Sequence, residues 1–208
     1  MIELQTGLAF SAASLLLAIA PGPDNIFVLT QSAVHGKSAG IVTTLGLLTG
    51  VLVHTCAVAL GIAAVFQASE TAFAILKGIG AAYLLYLAWQ AFRAEGQAIP
   101  GDGDGRIQLR RLYVRGIIMN VTNPKVLIFF LAFLPQFVDP ERGSMLLQFL
   151  QLGGLFILSG SVVFFAISML AGTLGQWLSR SPRAQAVLHK IAGVVFTGLA
   201  ISILVAHR

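Results

Sequence analysis

Six stretches of this chain run almost without charge: residues 2–29, 45–66, 73–92, 116–138, 145–178 and 187–206. That pattern constrains the fold more than any motif. A bilayer core of about 30 Å needs roughly 20 helical residues at about 1.5 Å each, and every stretch is near that length or above it. The chain of 208 residues is 57% hydrophobic and only 10% charged, whereas a soluble domain carries about 25% charged residues. A soluble helical bundle is the competing reading, but it needs polar outer faces that these stretches lack. The sequence therefore predicts an all-α membrane protein with six transmembrane helices, here spans 1 to 6. Ala18-Ile19-Ala20 has the small-x-small look of a signal-peptide cleavage site, yet the chain opens Met1-Ile2-Glu3 without a basic leader. Span 1 is therefore expected to be retained. The single cysteine, Cys56, can form neither an intrachain disulfide nor a thiol relay.

Thirteen Lys and Arg residues give a net charge of +5. Their placement reads as membrane orientation and not as a nucleic-acid surface. With six spans, alternate connections share a side. One side collects nine of the thirteen: Lys37, then Arg93, Arg106, Arg110, Arg111 and Arg115, then Arg180, Arg183 and Lys190. The other side has Arg142 and Arg208, while Lys77 and Lys125 fall inside spans. By the positive-inside rule the basic side is cytoplasmic and both termini are outside. The polar connection at about residues 94–114 is expected to be a flexible cytoplasmic linker within a single transporter domain over residues 1–208. Its Asp102-Gly103-Asp104-Gly105 resembles the start of a calcium loop, but the twelfth position is Tyr113 where a Glu is needed, so it reads as a turn.

The linker separates three spans (about residues 1–93) from three spans (about 115–208). An odd number per half makes the second insert upside down, which predicts two inverted three-helix repeats. Their first helices, spans 1 and 4, carry matching defects. Span 1 contains Pro21, Gly22, Pro23 and Asp24; span 4 contains Asn123, Pro124 and Lys125. Asp24 is 13 residues from Lys37, and Lys125 is 10 from Arg115. At helical rise both charges lie roughly 15–20 Å from the basic side, near mid-membrane. Proline has no N–H and clashes with the carbonyl four residues earlier. Pro21 and Pro23 would release the carbonyls of Leu17 and Ile19, and Pro124 that of Asn120, and none of these can face lipid. Pro23 and Pro124 suit the first position of a half-helix, with Gly22 and Asn123 as N-caps. Asp24 agrees with the helix dipole there, whereas Lys125 opposes it. Two plainer readings stay open: Asp24 as a helix-start acid, and Lys125 as a lysine reaching the interface.

The segments PGPDNIFVLTQSAVHGKSAGIVTTLGLLTGVLVH, LKGIGAAYLLYLAW and GIIMNVTNPKVLIFFLAFLPQFVDP resemble the signature stretches of the lysine-exporter (LysE/RhtB) family. The resemblance covers essentially the whole chain and is weakest in the linker and span 6. It implies efflux of amino acids or their derivatives across the bacterial inner membrane, driven by the proton gradient, without nucleotide or other cofactor. The residue after PGP is often Asn in that family and is Asp24 here, so substrate preference does not carry over.

A zwitterion offers an ammonium and a carboxylate. Asp24 with the carbonyls released in span 1 suits the ammonium, and Lys125, Asn123 and the half-helix start at Pro124 suit the carboxylate. A permanent Asp24–Lys125 salt bridge that only joins the halves is the competing reading. Asn120 is a candidate substrate-binding residue and a candidate to satisfy loose backbone groups. Asp24 and His54 are candidates for proton coupling, His54 as a relay, with a histidine simply bonded to a neighbouring helix as its alternative. Lys77 and Tyr83 are secondary candidates, with interface and packing roles as their alternatives. Gly46 and Gly50 form a GxxxG whose contact lies within one chain or between two copies in a homodimer. The expected partners are a small zwitterionic substrate and membrane lipid, with no nucleic acid. A cation or metal exporter is the alternative function. Asp24, His54 and Cys56 are few ligands for a dry metal site, and no HExxH or GxSxG points to an enzyme.

Overall fold

A computed structural model describes residues 2–68, 70–94 and 108–205. The described elements are all helical. Span 1 is a bent pair, α1 (Leu4–Ile19) and α2 (Pro23–His35), meeting at 59°. α3 (Lys37–Ala68) and α4 (Glu70–Arg93) follow. A second bent pair joins α5 (Leu109–Val121) to α6 (Pro124–Ile128) and its continuation to Phe137 at 47°. The chain closes with α7 (Met145–Arg180) and α8 (Pro182–Val205). Among the described residues four helices are long and apolar enough to cross a membrane, and six spans result when each bent pair counts as one. Large apolar side chains such as Leu4, Leu60, Leu158 and Val194 stand more than half exposed. That is the surface expected of lipid contact and not of water contact.

The helices overrun the uncharged stretches. Lys37 is the first residue of α3, because Gly36 alone makes the turn at φ 86°, a region glycine enters without steric cost. Arg110 and Arg111 lie in α5 rather than in the linker, and Lys190 lies in α8. Charges at helix ends leave the apolar core without ending the helix. The calcium-like Asp102–Gly105 turn, Arg106 and Arg208 lie outside the described residues.

α3 is the packing centre, running along α5 and α7; α4 packs on α8, α1 on α7, and α2 between α3 and α7. Glycine permits the α3–α5 approach. A Cβ on Gly46 would collide with the Tyr113 carbonyl oxygen, and one on Gly50 would fall 2.7 Å from the Asn120 Cβ. The GxxxG pair is thus used within the chain. Across the same seam Thr49 and Tyr113 share a hydroxyl–hydroxyl bond of 2.8 Å.

The second bent pair has an irregular end. Phe129–Phe133 is a π-helical turn and Leu134–Phe137 a 3-10 turn. Pro135 lies at this junction without an N–H, and the widened turn absorbs the register change. Gln136 Nε2 donates to the Ala132 carbonyl at 2.7 Å. The main core gathers there: Phe156, Phe129, Phe133 and Phe137 follow one another with ring-centre steps of 5.3, 4.8 and 5.0 Å. Phe156 lines a small central cavity and Phe137 an open one of about 360 Å³ beside Glu3, Asp139 and Arg142. A second, smaller cluster holds Val28, Leu47 and Phe164, of which Leu47 and Phe164 also line the central cavity.

Candidate functional site at the two helix breaks

The two breaks meet. Lys125 Nζ stands 3.2 Å from Asp24 Oδ1, and both side chains are at most 5% exposed. The polypeptide builds this contact from its half-helix starts. Gly22 is the N-cap of α2 with Pro23 at the first position, and Asn123 caps α6 with Pro124 at the first position. The Asn123 Oδ1 accepts from the Lys125 backbone N–H at 3.0 Å, a standard cap. Gly22 is extended (φ −160°), so its residue type is set by space: a Cβ there would fall 2.8 Å from Asp24 Oδ1 and 2.9 Å from Lys125 Nζ.

The break in span 1 opens the carbonyls of the last turn of α1, and side chains take them up. Lys125 Nζ donates to Ala20 O at 3.1 Å and to Leu17 O at 3.4 Å. Asn25 Nδ2 donates to Ala18 O at 2.7 Å, and its Oδ1 accepts from Lys125 Nζ at 3.4 Å. The ammonium is therefore surrounded by a carboxylate, an amide oxygen and two backbone carbonyls. A buried charge needs such an environment, since one without partners costs several kcal/mol.

At the second break, the carbonyl of Asn120 is taken by His54 across from α3. His54 Nε2 donates to it at 3.1 Å, and the ring packs on Phe130 at 5.6 Å. His54 therefore ties α3 to α5. The Asn120 side chain does not satisfy a loose backbone group. Its Oδ1 is buried without a hydrogen bond, as is Asn123 Nδ2. Asn120 instead lines the central cavity with Asp24, Lys125, Leu47, Phe156 and Phe164. That cavity measures about 10 Å³, room for about one water, so the site is closed.

Lys77 and Tyr83 are not brought to this cavity. Both lie part-exposed on α4, where Tyr83, Tyr86 and Trp89 succeed one another at ring distances of 5.9 and 6.1 Å and Arg93 covers Trp89 at 4.6 Å. That ladder fits the interfacial alternative. The site residue that sequence reasoning misses is Asn25. Its one signal is its place two positions after Pro23, where a side chain can reach back over the break.

Comparison with known proteins covers both helix breaks. The profile of the LysE type translocators matches residues 15–207. The chain is 37% identical over 189 residues to the homoserine/homoserine lactone efflux protein of Salmonella typhimurium, covering 90% of each. It is 30% identical to an uncharacterized membrane protein of Vibrio cholerae, covering 95% of each. It is 25% identical to the leucine efflux protein of an Enterobacter species, covering 92% of this chain and 91% of that one. No solved structure matches significantly. With a family profile spanning both helix breaks and relatives aligned along nearly their whole length, the chain belongs to the LysE family of translocators.

Proposed function

We propose that this protein exports neutral amino acids or their derivatives from the cytoplasm across the bacterial inner membrane. The observation that carries the reading is the buried contact of Asp24 and Lys125, one charge from each helix break. A site of opposite charges at membrane depth suits a zwitterion. It suits a metal ion or other bare cation poorly, because Lys125 already neutralises the acid at 3.2 Å. The names of the relatives, homoserine/homoserine lactone and leucine efflux proteins, support an amino-acid substrate. We assign the substrate ammonium to Asp24 and the opened carbonyls of α1. The carboxylate goes to Lys125, the free amide of Asn123 and the start of α6, with Asn120 at the cavity wall.

Residues 1–93 and 115–208 are read as inverted repeats joined by a cytoplasmic linker. Matching bent first helices and the facing pairs α3–α7 and α4–α8 support this. The basic helix ends around Lys37, Arg110 and Arg111 support a cytoplasmic side there, with both termini outside. Proton coupling is assigned to Asp24, with His54 fixing the neighbouring break. Cells or proteoliposomes loaded with labelled homoserine and leucine test the function. Asp24→Asn and Lys125→Ala, each at parental membrane level, are expected to lose about 90% of efflux or more, a tenfold loss being about 1.4 kcal/mol of binding. Full efflux in both removes the site.

A further inference from the structure

The four oxygens around Lys125 Nζ form a binding site for a primary ammonium, and in the closed protein the ligand is the protein's own side chain. The donors and acceptors match closely. An –NH3⁺ group has three N–H donors and no acceptor. Around Lys125 Nζ stand only acceptors: Ala20 O at 3.1 Å, Asp24 Oδ1 at 3.2 Å, and Leu17 O and Asn25 Oδ1 at 3.4 Å. All four belong to residues 17–25, so the cradle is a property of the first helix break alone. Lys125 reaches it from the other half of the chain. Nothing about the cradle requires that the ammonium be tethered.

We infer that Lys125 is a tethered competitor for the ammonium site, and that a transported primary amine takes its place. The inference rests on the exporter reading for its function, though the cradle itself does not. Two further observations support displacement. The cavity beside the pair has room for about one water, so an amino acid cannot sit there while the lysine ammonium occupies the cradle. Two buried polar atoms near the pair are also without partners among the described residues: Oδ1 of Asn120, a residue of the cavity wall, and Nδ2 of Asn123, two positions before Lys125 in the chain. A displaced ammonium can be received by the first, and a carboxylate by the second together with the displaced lysine. The ligand class follows from the acceptors: an unsubstituted ammonium fills the cradle, and a trimethylated one has no N–H to give and is too wide.

The test is chemical rescue. Lys125→Ala removes three carbons and the nitrogen, which propylammonium replaces. Purified Lys125→Ala protein is melted in propylammonium chloride and in tetramethylammonium chloride at equal ionic strength. The cradle predicts a higher melting temperature in propylammonium only. At ten times its dissociation constant the folding equilibrium shifts about elevenfold. The unsubstituted protein should show no difference between the salts. Equal melting of Lys125→Ala in both salts, or the same rise in the unsubstituted protein, overturns the inference. If Lys125→Ala is not recovered folded, competition decides. An N-trimethylated analogue at a hundredfold excess should leave efflux of the parent amino acid unchanged, and inhibition by it overturns the cradle. Rescue without amino-acid efflux by the unsubstituted protein keeps the cradle and removes the exporter reading. Efflux without rescue removes the cradle alone.

Discussion

Removing either charge of the Asp24–Lys125 pair should destabilise the protein more than removing both. Lys125→Met keeps the side-chain volume but leaves the Asp24 carboxylate, 2% exposed, without its cation. Breaking a buried pair in this way costs about 3–5 kcal/mol. Asp24→Asn strands the lysine among neutral acceptors and should cost about the same or somewhat less. The double variant has no unpaired charge. Its remaining deficit is the loss of the lysine donor by the carbonyls of Leu17 and Ala20, at about 1 kcal/mol each, so about 2 kcal/mol in all. Independent losses would instead sum to about 6–10 kcal/mol. Equilibrium unfolding in mixed micelles at increasing denaturing detergent, followed by tryptophan fluorescence and circular dichroism, measures all four proteins. A double variant at the sum of the singles, within about 0.5 kcal/mol, would refute the pairing as the origin of the stability.

Four other outcomes follow from the geometry. Gly22→Ala puts a methyl 2.8 Å from Asp24 Oδ1 and 2.9 Å from Lys125 Nζ; efflux of labelled homoserine should drop about tenfold or more while membrane level stays near parental. His54→Phe removes the histidine donor from the Asn120 carbonyl, which keeps the Asn123 backbone N–H at 3.0 Å; the cost is about 0.5–1.5 kcal/mol, read as an earlier unfolding midpoint in the same micelles. Gly46→Val drives a side chain into the Tyr113 carbonyl and should prevent recovery of folded protein, judged by gel filtration. Gly154→Ala meets nothing within 4 Å and should be recovered like the parent.

Much of the fold and of the site is legible in the amino-acid sequence. A missing proline N–H is written there, and so is the carbonyl it frees. Two of the three carbonyls named from Pro21, Pro23 and Pro124 find tertiary donors: Leu17 O meets Lys125 and Asn120 O meets His54. The donors are not legible, because spacing along one helix does not say which residue faces it from another. For that reason the sequence points to the Asn120 side chain, when its backbone carries the bond. Asn25 escapes notice because its work, bonding Ala18 O while accepting from Lys125, exists only once α1 and α2 are bent at 59°. Hydropathy also stops the helices short of Lys37 and Arg110, since it marks where lipid ends and not where the helix does. The π turn at Phe129–Phe133 leaves no periodic signal either, being a five-residue interruption inside an apolar run.

The row of rings from Phe156 through Phe129 and Phe133 to Phe137 has a consequence for protons. The 360 Å³ cavity at one end of the row is open, with Glu3, Asp139 and Arg142 on its wall. The three ring contacts that lead inward from it hold no charged side chain and no hydrogen-bonding one. The rings offer no hydrogen-bonding group to hold a file of water, so protons have no wire through this part of the closed molecule. The aromatic row is therefore a partition as well as packing: it sets an apolar wall between the open cavity at Phe137 and the small cavity that Asp24 and Lys125 line.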